Sequence, residues 1–357
     1  MDEALDANTA LIYSPKAPLA GLFSPKGATP PPDPDQVRKD DRAVWAFVPS
    51  TFTPDKPEVL IYLHGHNYFV TAKRNVATSK VEARVSDWLL DNEGKAGAAA
   101  KGAAKGPAGN FYDFDKLAAS LPHHPLILLP EDGHNTHDLK QVLNPDKTPK
   151  VDPVTNKPVM EWDGFWCKEL PGTLATATGL GDLIENCSER LSVLPVVPAN
   201  GKNYLGKKIA VADIKRLFLT GHSGGGVPLD KAITADISLN TPTTLVVLDA
   251  TYNDYRASLR KFCETWKTRS KLKVAADSSW VVIIFNPASG TAGHKTTIVA
   301  DLKKNSFTVT ELKHAQSKGT TAVETALSSN EIVVIETDVA HDGIPQFFIP
   351  LVLKNTP

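Results

Sequence analysis

The chain has 357 residues, 41% of them hydrophobic and 22% charged. That is enough to bury a full core and more than the usual domain size, so one large α/β domain with insertions and a domain with a smaller lid both fit. Lys and Arg number 39 against 40 Asp and Glu, a formal charge of −1, which gives no support to a nucleic-acid or anionic-membrane partner.

No apolar run approaches the ~20 residues of a spanning helix. Cys167, Cys187 and Cys263 lack zinc-ligand spacing; their odd number is compatible with one disulfide and a free thiol and does not set the compartment. The N-terminal MDEALDANTALIYSPK has no basic region followed by a long apolar one. A cytoplasmic protein and a secreted or periplasmic one whose leader has been removed both remain open.

In chain order, residues 1–40 read as a proline-rich arm, with Pro30-Pro31-Pro32 at its centre. The rest, 41–357, reads as one domain. AVWAFV (Ala43 to Val48) is an early strand, and EVLIYL (Glu58 to Leu63) is an apolar one that stops at His64-Gly65-His66-Asn67. Ala72 to Leu90 has helical character weakened by Thr and Val, and 91–110 is an Ala/Gly/Lys excursion in which glycine opposes helix. Phe111 to Leu121 fits a helix stopping before Pro122, and LILL (Leu126 to Leu129) is a strand giving way to Glu131-Asp132-Gly133-His134.

Residues 138–180 do not read as a simple crossover. Asp146 to Trp162 suggests an exposed hairpin or loop, and Trp162, Phe165 and Trp166 gather aromatic surface suited to a lid or pocket wall, or to plain packing. Gly181 to Leu194 reads as a helix with Asp182 in its first turn.

RLFLTGHSGGG (Arg216 to Gly226) follows, a strand meeting a glycine-rich corner, with a helix expected over Val227 to Leu239. TLVVL (Thr244 to Leu248), WVVIIF (Trp280 to Phe285) and EIVVI (Glu331 to Ile335) are further core strands, and FTVTE (Phe307 to Glu311) reads as an edge or extra strand. Helices are expected over Tyr255 to Thr268 and Thr320 to Leu327, and an apolar segment, Phe347 to Leu353, closes the chain. Six short, nearly all-apolar strands separated by helix-compatible stretches predict a mostly parallel sheet covered on both faces. Polar residues and glycines collect at the carboxyl ends of these strands, where such a sheet places its site.

The corner Gly221-His222-Ser223-Gly224-Gly225 matches G-x-S-x-G, in which small neighbours let the chain turn sharply and push a serine hydroxyl into the open. A serine hydroxyl needs a base to take its proton and an acid to orient that base. Ser223 follows one strand, Asp249 the next and His341 the last, so three separated residues can meet. Structural alternatives are a plain glycine turn for Ser223, an N-cap or ion-pair role for Asp249 and a loop histidine for His341; Asp254 and Asp338 are the rival acids. Oxyanion donors are expected from the amides of Gly224 and His66, with Asn67 next. His64, Asn67, His134, His222 and Trp166 are candidate substrate contacts.

Ten histidines invite a metal reading in which His64, His66, His134 and His137 converge with Asp132. With no H-E-x-x-H present, satisfied loop histidines or substrate contacts are preferred, and neither metal nor cofactor is expected. No Lys-Ser/Thr pair follows the glycines, so a P-loop fails.

These motifs together resemble the α/β-hydrolase superfamily over most of 43–353, with the arm and the 138–180 insertion outside the likeness. The resemblance implies that Ile61 to His66 form the oxyanion loop, that Gly221 to Gly225 form the nucleophile turn, and that Val339 to Gly343 carry the catalytic histidine. One departure concerns the acid, which the superfamily usually places after the strand ending here in Phe285-Asn286-Pro287. No carboxylate follows promptly there, so an acid one strand earlier favours Asp249. The expected function is metal-independent cleavage of a small-molecule or polymeric ester through an acyl-enzyme. An amidase or peptidase with the same triad, and a noncatalytic binding protein of the same fold, are the alternatives, since fold does not choose among them.

Overall fold

The structure is a computed structural model that describes residues 3–4, 9–12, 44–63, 70–75, 80–85, 124–130, 139–141, 144, 148, 160–162, 174, 176–196, 201–235, 241–251, 254–271, 279–289 and 293–356. Its first strands are β1 (Glu3–Ala4), β2 (Thr9–Ile12), β3 (Val44–Phe47) and β4 (Glu58–Leu63). A hairpin, β5 (Val70–Asn75) and β6 (Lys80–Val85), precedes β7 (Leu126–Pro130). The short strands β8 (Leu139–Gln141) and β9 (Met160–Trp162) come before helix α1 (Gly179–Val193).

Beyond α1, strand and helix alternate: β10 (Arg216–His222), α2 (Gly226–Ala235), β11 (Thr243–Leu248), α3 (Arg256–Lys271), β12 (Trp280–Phe285) and α4 (Lys295–Lys304). The chain then runs through β13 (Thr310–His314), α5 (Thr321–Ser329), β14 (Ile332–Thr337) and α6 (Ile344–Asn355).

Ten strands form one sheet in the order β1-β2-β3-β7-β4-β10-β11-β12-β14-β13. The pairings from β7 through β13 are parallel, and those of β1 with β2, β2 with β3 and β3 with β7 are antiparallel. This mostly parallel sheet with helices on both faces has the α/β-hydrolase fold.

The sequence explains the layering through its period of two. Val59, Ile61, Leu63, Leu217, Leu219, Leu245, Val247, Val281 and Ile283 join a core with Leu183, Ile184 and Cys187 of α1, Leu229 and Ile233 of α2, Leu259 of α3 and Ile298 and Leu302 of α4. Their alternates Leu60, Tyr62, Phe218, Val246, Leu248, Val282 and Ile284 pack on the other face with Val323 and Leu327 of α5 and Phe348, Ile349 and Val352 of α6. Alternation in a strand sends neighbours to opposite faces, so strands apolar throughout require a cover on each side.

Four local outcomes differ from the sequence pattern. Ala72 to Leu90 is no helix in its described part: β5 and β6 pair antiparallel, Val70 opposite Val85 and Asn75 opposite Lys80. The β-branched Val70, Thr71, Val81 and Val85 favour the extended chain there. Within the stretch read as an arm, β2 joins the sheet against β3, and Ala10 and Ile12 are fully buried. Helix α4 is absent from the sequence reading; Thr296 and Thr297 mask its apolar face of Ile298, Val299 and Leu302. The edge or extra strand expected over Phe307 to Glu311 is an edge strand beyond β14, as read, but its bounds are Thr310–His314.

The expected helix over Phe111 to Leu121 lies outside the described residues. Strands β8 and β9 pair antiparallel, Leu139 opposite Trp162. Cys187 and Cys263 are both buried and form no disulfide with each other. Among the described residues no helix is long and apolar enough to cross a membrane.

Candidate active site

The site is built at the carboxyl ends of three parallel strands. At the end of β10 the backbone is still extended at His222 (φ −113°, ψ 138°) and enters the left-handed region at Ser223 (φ 48°). A non-glycine residue rarely holds that conformation, and it persists only where its surroundings impose it. Crowding imposes it here. A Cβ on Gly221 would lie 2.8 Å from the Gly225 carbonyl oxygen and 2.9 Å from Leu229 Cδ2. A Cβ on Gly226 would lie 2.0 Å from the Tyr255 hydroxyl and 3.0 Å from the Ala250 carbonyl oxygen. The turn Ser223–Gly225 then feeds α2 directly. Ser223 is more enclosed than the motif suggests, at 8% exposure.

Asp249 directly follows β11, also in the left-handed region (φ 44°), with no exposed surface. Its own N–H donates to the Ile284 carbonyl at 2.6 Å, tying the turn to β12. One carboxylate oxygen, Oδ1, accepts from the Asn286 backbone N–H at 3.1 Å and from the Ser289 hydroxyl at 2.8 Å. The other, Oδ2, lies 2.6 Å from His341 Nδ1. A buried carboxylate is costly unless hydrogen-bonded, and these donors offset that cost.

His341 opens the turn His341–Gly343 ahead of α6. In the neutral tautomer whose Nδ1–H donates to Asp249, the lone pair of the other ring nitrogen, Nε2, can accept a hydrogen bond. Its side chain stays 29% exposed while that of Asp249 is at 0%. His222, directly before Ser223, packs its ring 4.6 Å from the His341 ring, centroid to centroid, and its Nε2 lies 3.2 Å from the His341 carbonyl oxygen. The Ser223 turn and the His341 turn are therefore in contact through His222.

The rival acids are engaged elsewhere. Asp254 makes an ion pair with Arg256, whose guanidinium holds its carboxyl down at about 2. Asp338 accepts from the Gln316 backbone N–H at 2.6 Å. His66, His64, Asn67, His134 and Trp166 lie outside the described residues, as do His137 and Asp132 of the metal reading. Among the described residues, no cluster of three or more His, Cys, Asp or Glu is arranged to hold a metal ion.

Sequence reasoning missed Asn286 and Ser289. Asn286 stands after β12, where the superfamily usually keeps its acid. Its Nδ2 donates to the Val339 carbonyl at 2.9 Å, and its Oδ1 accepts from the Ala288 N–H at 2.8 Å. The lack of a carboxylate after Phe285 was the available signal.

No protein-family model and no curated protein matches the chain. Among solved structures it is similar to a serine-to-alanine mutant of the feruloyl esterase module from Clostridium thermocellum complexed with sinapinate, at 10% identity and TM-score 0.44, covering 99% of this chain and 95% of that one. It is also similar to a poly(3-hydroxybutyrate) depolymerase from Bordetella parapertussis, at 11% identity and TM-score 0.32, covering 87% of this chain and 84% of that one. Likeness at this level decides nothing about chemistry, and the fold is read from strand order and direction instead.

Proposed function

We propose that this chain is a serine hydrolase that cleaves carboxylic esters through an acyl-enzyme. The observation that carries the reading is the 2.6 Å contact between His341 Nδ1 and the enclosed Asp249 carboxylate, formed beside the strained Ser223 turn. In this reading Ser223 Oγ attacks the ester carbonyl carbon while His341 Nε2 takes the hydroxyl proton. Asp249 fixes the imidazole tautomer and stabilises the imidazolium that forms. The tetrahedral oxyanion is held by the Gly224 amide and by a second amide, for which His66 is the choice from the sequence. Collapse expels the alcohol, which receives the proton from His341. Water then attacks the acyl-enzyme with the same histidine as base, releasing the acid and restoring Ser223. No metal is required by these steps.

The test is labelling by a fluorophosphonate probe, followed by a panel of short and long acyl esters beside amides and peptides. Wild type is expected to be labelled at Ser223 and to turn over esters, with S223A and H341A inert. Labelling that survives H341A undamaged removes the proposed base. An unlabelled wild type that still binds a ligand turns the reading to a noncatalytic binding protein.

A further inference from the structure

The turn after β12 carries two polar side chains, Asn286 and Ser289, that the mechanism above leaves unused. We infer that Ser289, with Asn286, is a positioning device for Asp249: the pair holds one carboxylate oxygen so that the other faces His341, and it ties the acid turn to the histidine turn. The inference rests on the catalytic reading above and adds residues to it.

Donor counting supports it. The Ser289 hydroxyl has one hydrogen to give, and both Asp249 Oδ1, at 2.8 Å, and the Asn286 carbonyl, at 2.7 Å, are in reach. The Asn286 carbonyl is already served by the Ser289 backbone N–H at 3.0 Å. Of the two, the carboxylate is the stronger acceptor for the hydroxyl hydrogen because it is charged. With the Asn286 N–H on the same oxygen, Oδ1 is held by two donors on one short turn. A carboxylate pinned at one oxygen can rotate only by breaking both bonds, so Oδ2 stays aimed at Nδ1.

The second arm of the device reaches the histidine. Asn286 Nδ2 donates to the carbonyl of Val339, two residues before His341, and Val339 is itself buried. Asn286 thus touches the acid through its backbone and the base-bearing turn through its side chain. A carboxylate at this position offers no donor to the Val339 carbonyl. Moving the acid one strand earlier leaves this place to a residue that can bridge the two turns.

The experiment compares wild type with S289A, S289T and S289C in ester turnover, fluorophosphonate labelling and thermal unfolding. A lost hydrogen bond to a charged group predicts a fall in kcat of about tenfold for S289A, with KM near the wild-type value. S289T keeps the hydroxyl and is expected to restore kcat, whereas S289C, a weak donor of similar size, is expected to behave as S289A. The His341 Nδ1–H proton resonance, assigned by its absence in H341A, is expected to move in S289A and return in S289T.

A folded S289A within twofold of wild-type kcat, with the resonance unmoved, overturns the inference while leaving the triad intact. So does a loss of turnover that follows thermal stability and is not rescued by S289T. If S289A does not fold, S289C decides by the same criteria. A wild type that neither labels nor turns over any ester overturns the catalytic reading and this inference with it.

Discussion

Ser223 after β10 and Asp249 after β11 hold nearly the same backbone, φ 48° and 44°, on adjacent parallel strands. What fixes them differs. The serine turn is set by steric exclusion, with Gly221 and Gly226 so crowded that no side chain fits. The aspartate turn is set by hydrogen bonds reaching across to β12, from its own N–H to Ile284 and from Asn286 and Ser289 to its carboxylate. A turn held by crowding is broken by adding an atom, and one held by hydrogen bonds by removing a donor or a charge.

The sharpest break comes from the charge. D249N keeps the size of the side chain but favours the wrong histidine tautomer, and a loss in kcat of roughly ten-thousand-fold is expected with the fold preserved. Steady-state ester hydrolysis beside circular dichroism checks it, and near-normal turnover would place the acid elsewhere.

The crowded turn is expected to fail through stability. G226A forces a methyl against the Tyr255 hydroxyl and Ala250, and overpacking of this kind costs about 3 kcal/mol or prevents folding. G206A, where a Cβ meets nothing within 4 Å, is the control, expected within about 0.5 kcal/mol of wild type. Urea unfolding compares the two.

A smaller effect tests how α2 is held behind the serine turn. Burial pushes the Asp230 carboxyl above its ordinary value of 3.8, against the opposing Ser258 hydroxyl bonded to it. The folded chain then binds the proton more readily than the unfolded one, so this group's contribution to stability is lowest above the raised value. It improves as pH falls through the window down to 3.8. D230N is expected to be slightly more stable than wild type at neutral pH, with the advantage shrinking as the pH drops through that window. Thermal unfolding at several pH values reads the difference; a constant gap between the two proteins would contradict it.

The same contrast explains what the sequence disclosed. Steric requirements leave local marks: the glycines around Ser223 stand within five positions of it, and continuous apolar runs such as residues 59–63 and Trp280–Phe285 announce strands covered on both faces. Hydrogen bonds between strand ends leave none, because Asp249 and Ser289 are 40 positions apart and either residue alone is unremarkable. Placing Ser, Asp and His after one strand, the next and the last brought Asp249 and His341 forward, while Asn286 appeared only as a missing carboxylate. Helix α4 and the burial of Ala10 and Ile12 were hidden for a related reason. Short apolar sets among threonines or beside prolines acquire meaning only from the surface they meet.

The β4–β10 seam has a consequence for assembly. It sets Glu58 beside Arg216, which closes a connection of about 150 residues at the centre of the sheet. Closure entropy grows only with the logarithm of length, so halving that connection would return roughly 0.6 kcal/mol. The chain can thus carry a long excursion between its two central strands at little thermodynamic disadvantage. The toll is on speed. Pairing so distant in sequence must be found before it is rewarded, which makes this seam the expected slow step of folding, and the Ser223 corner, which begins where that seam ends, a late-forming feature of the molecule.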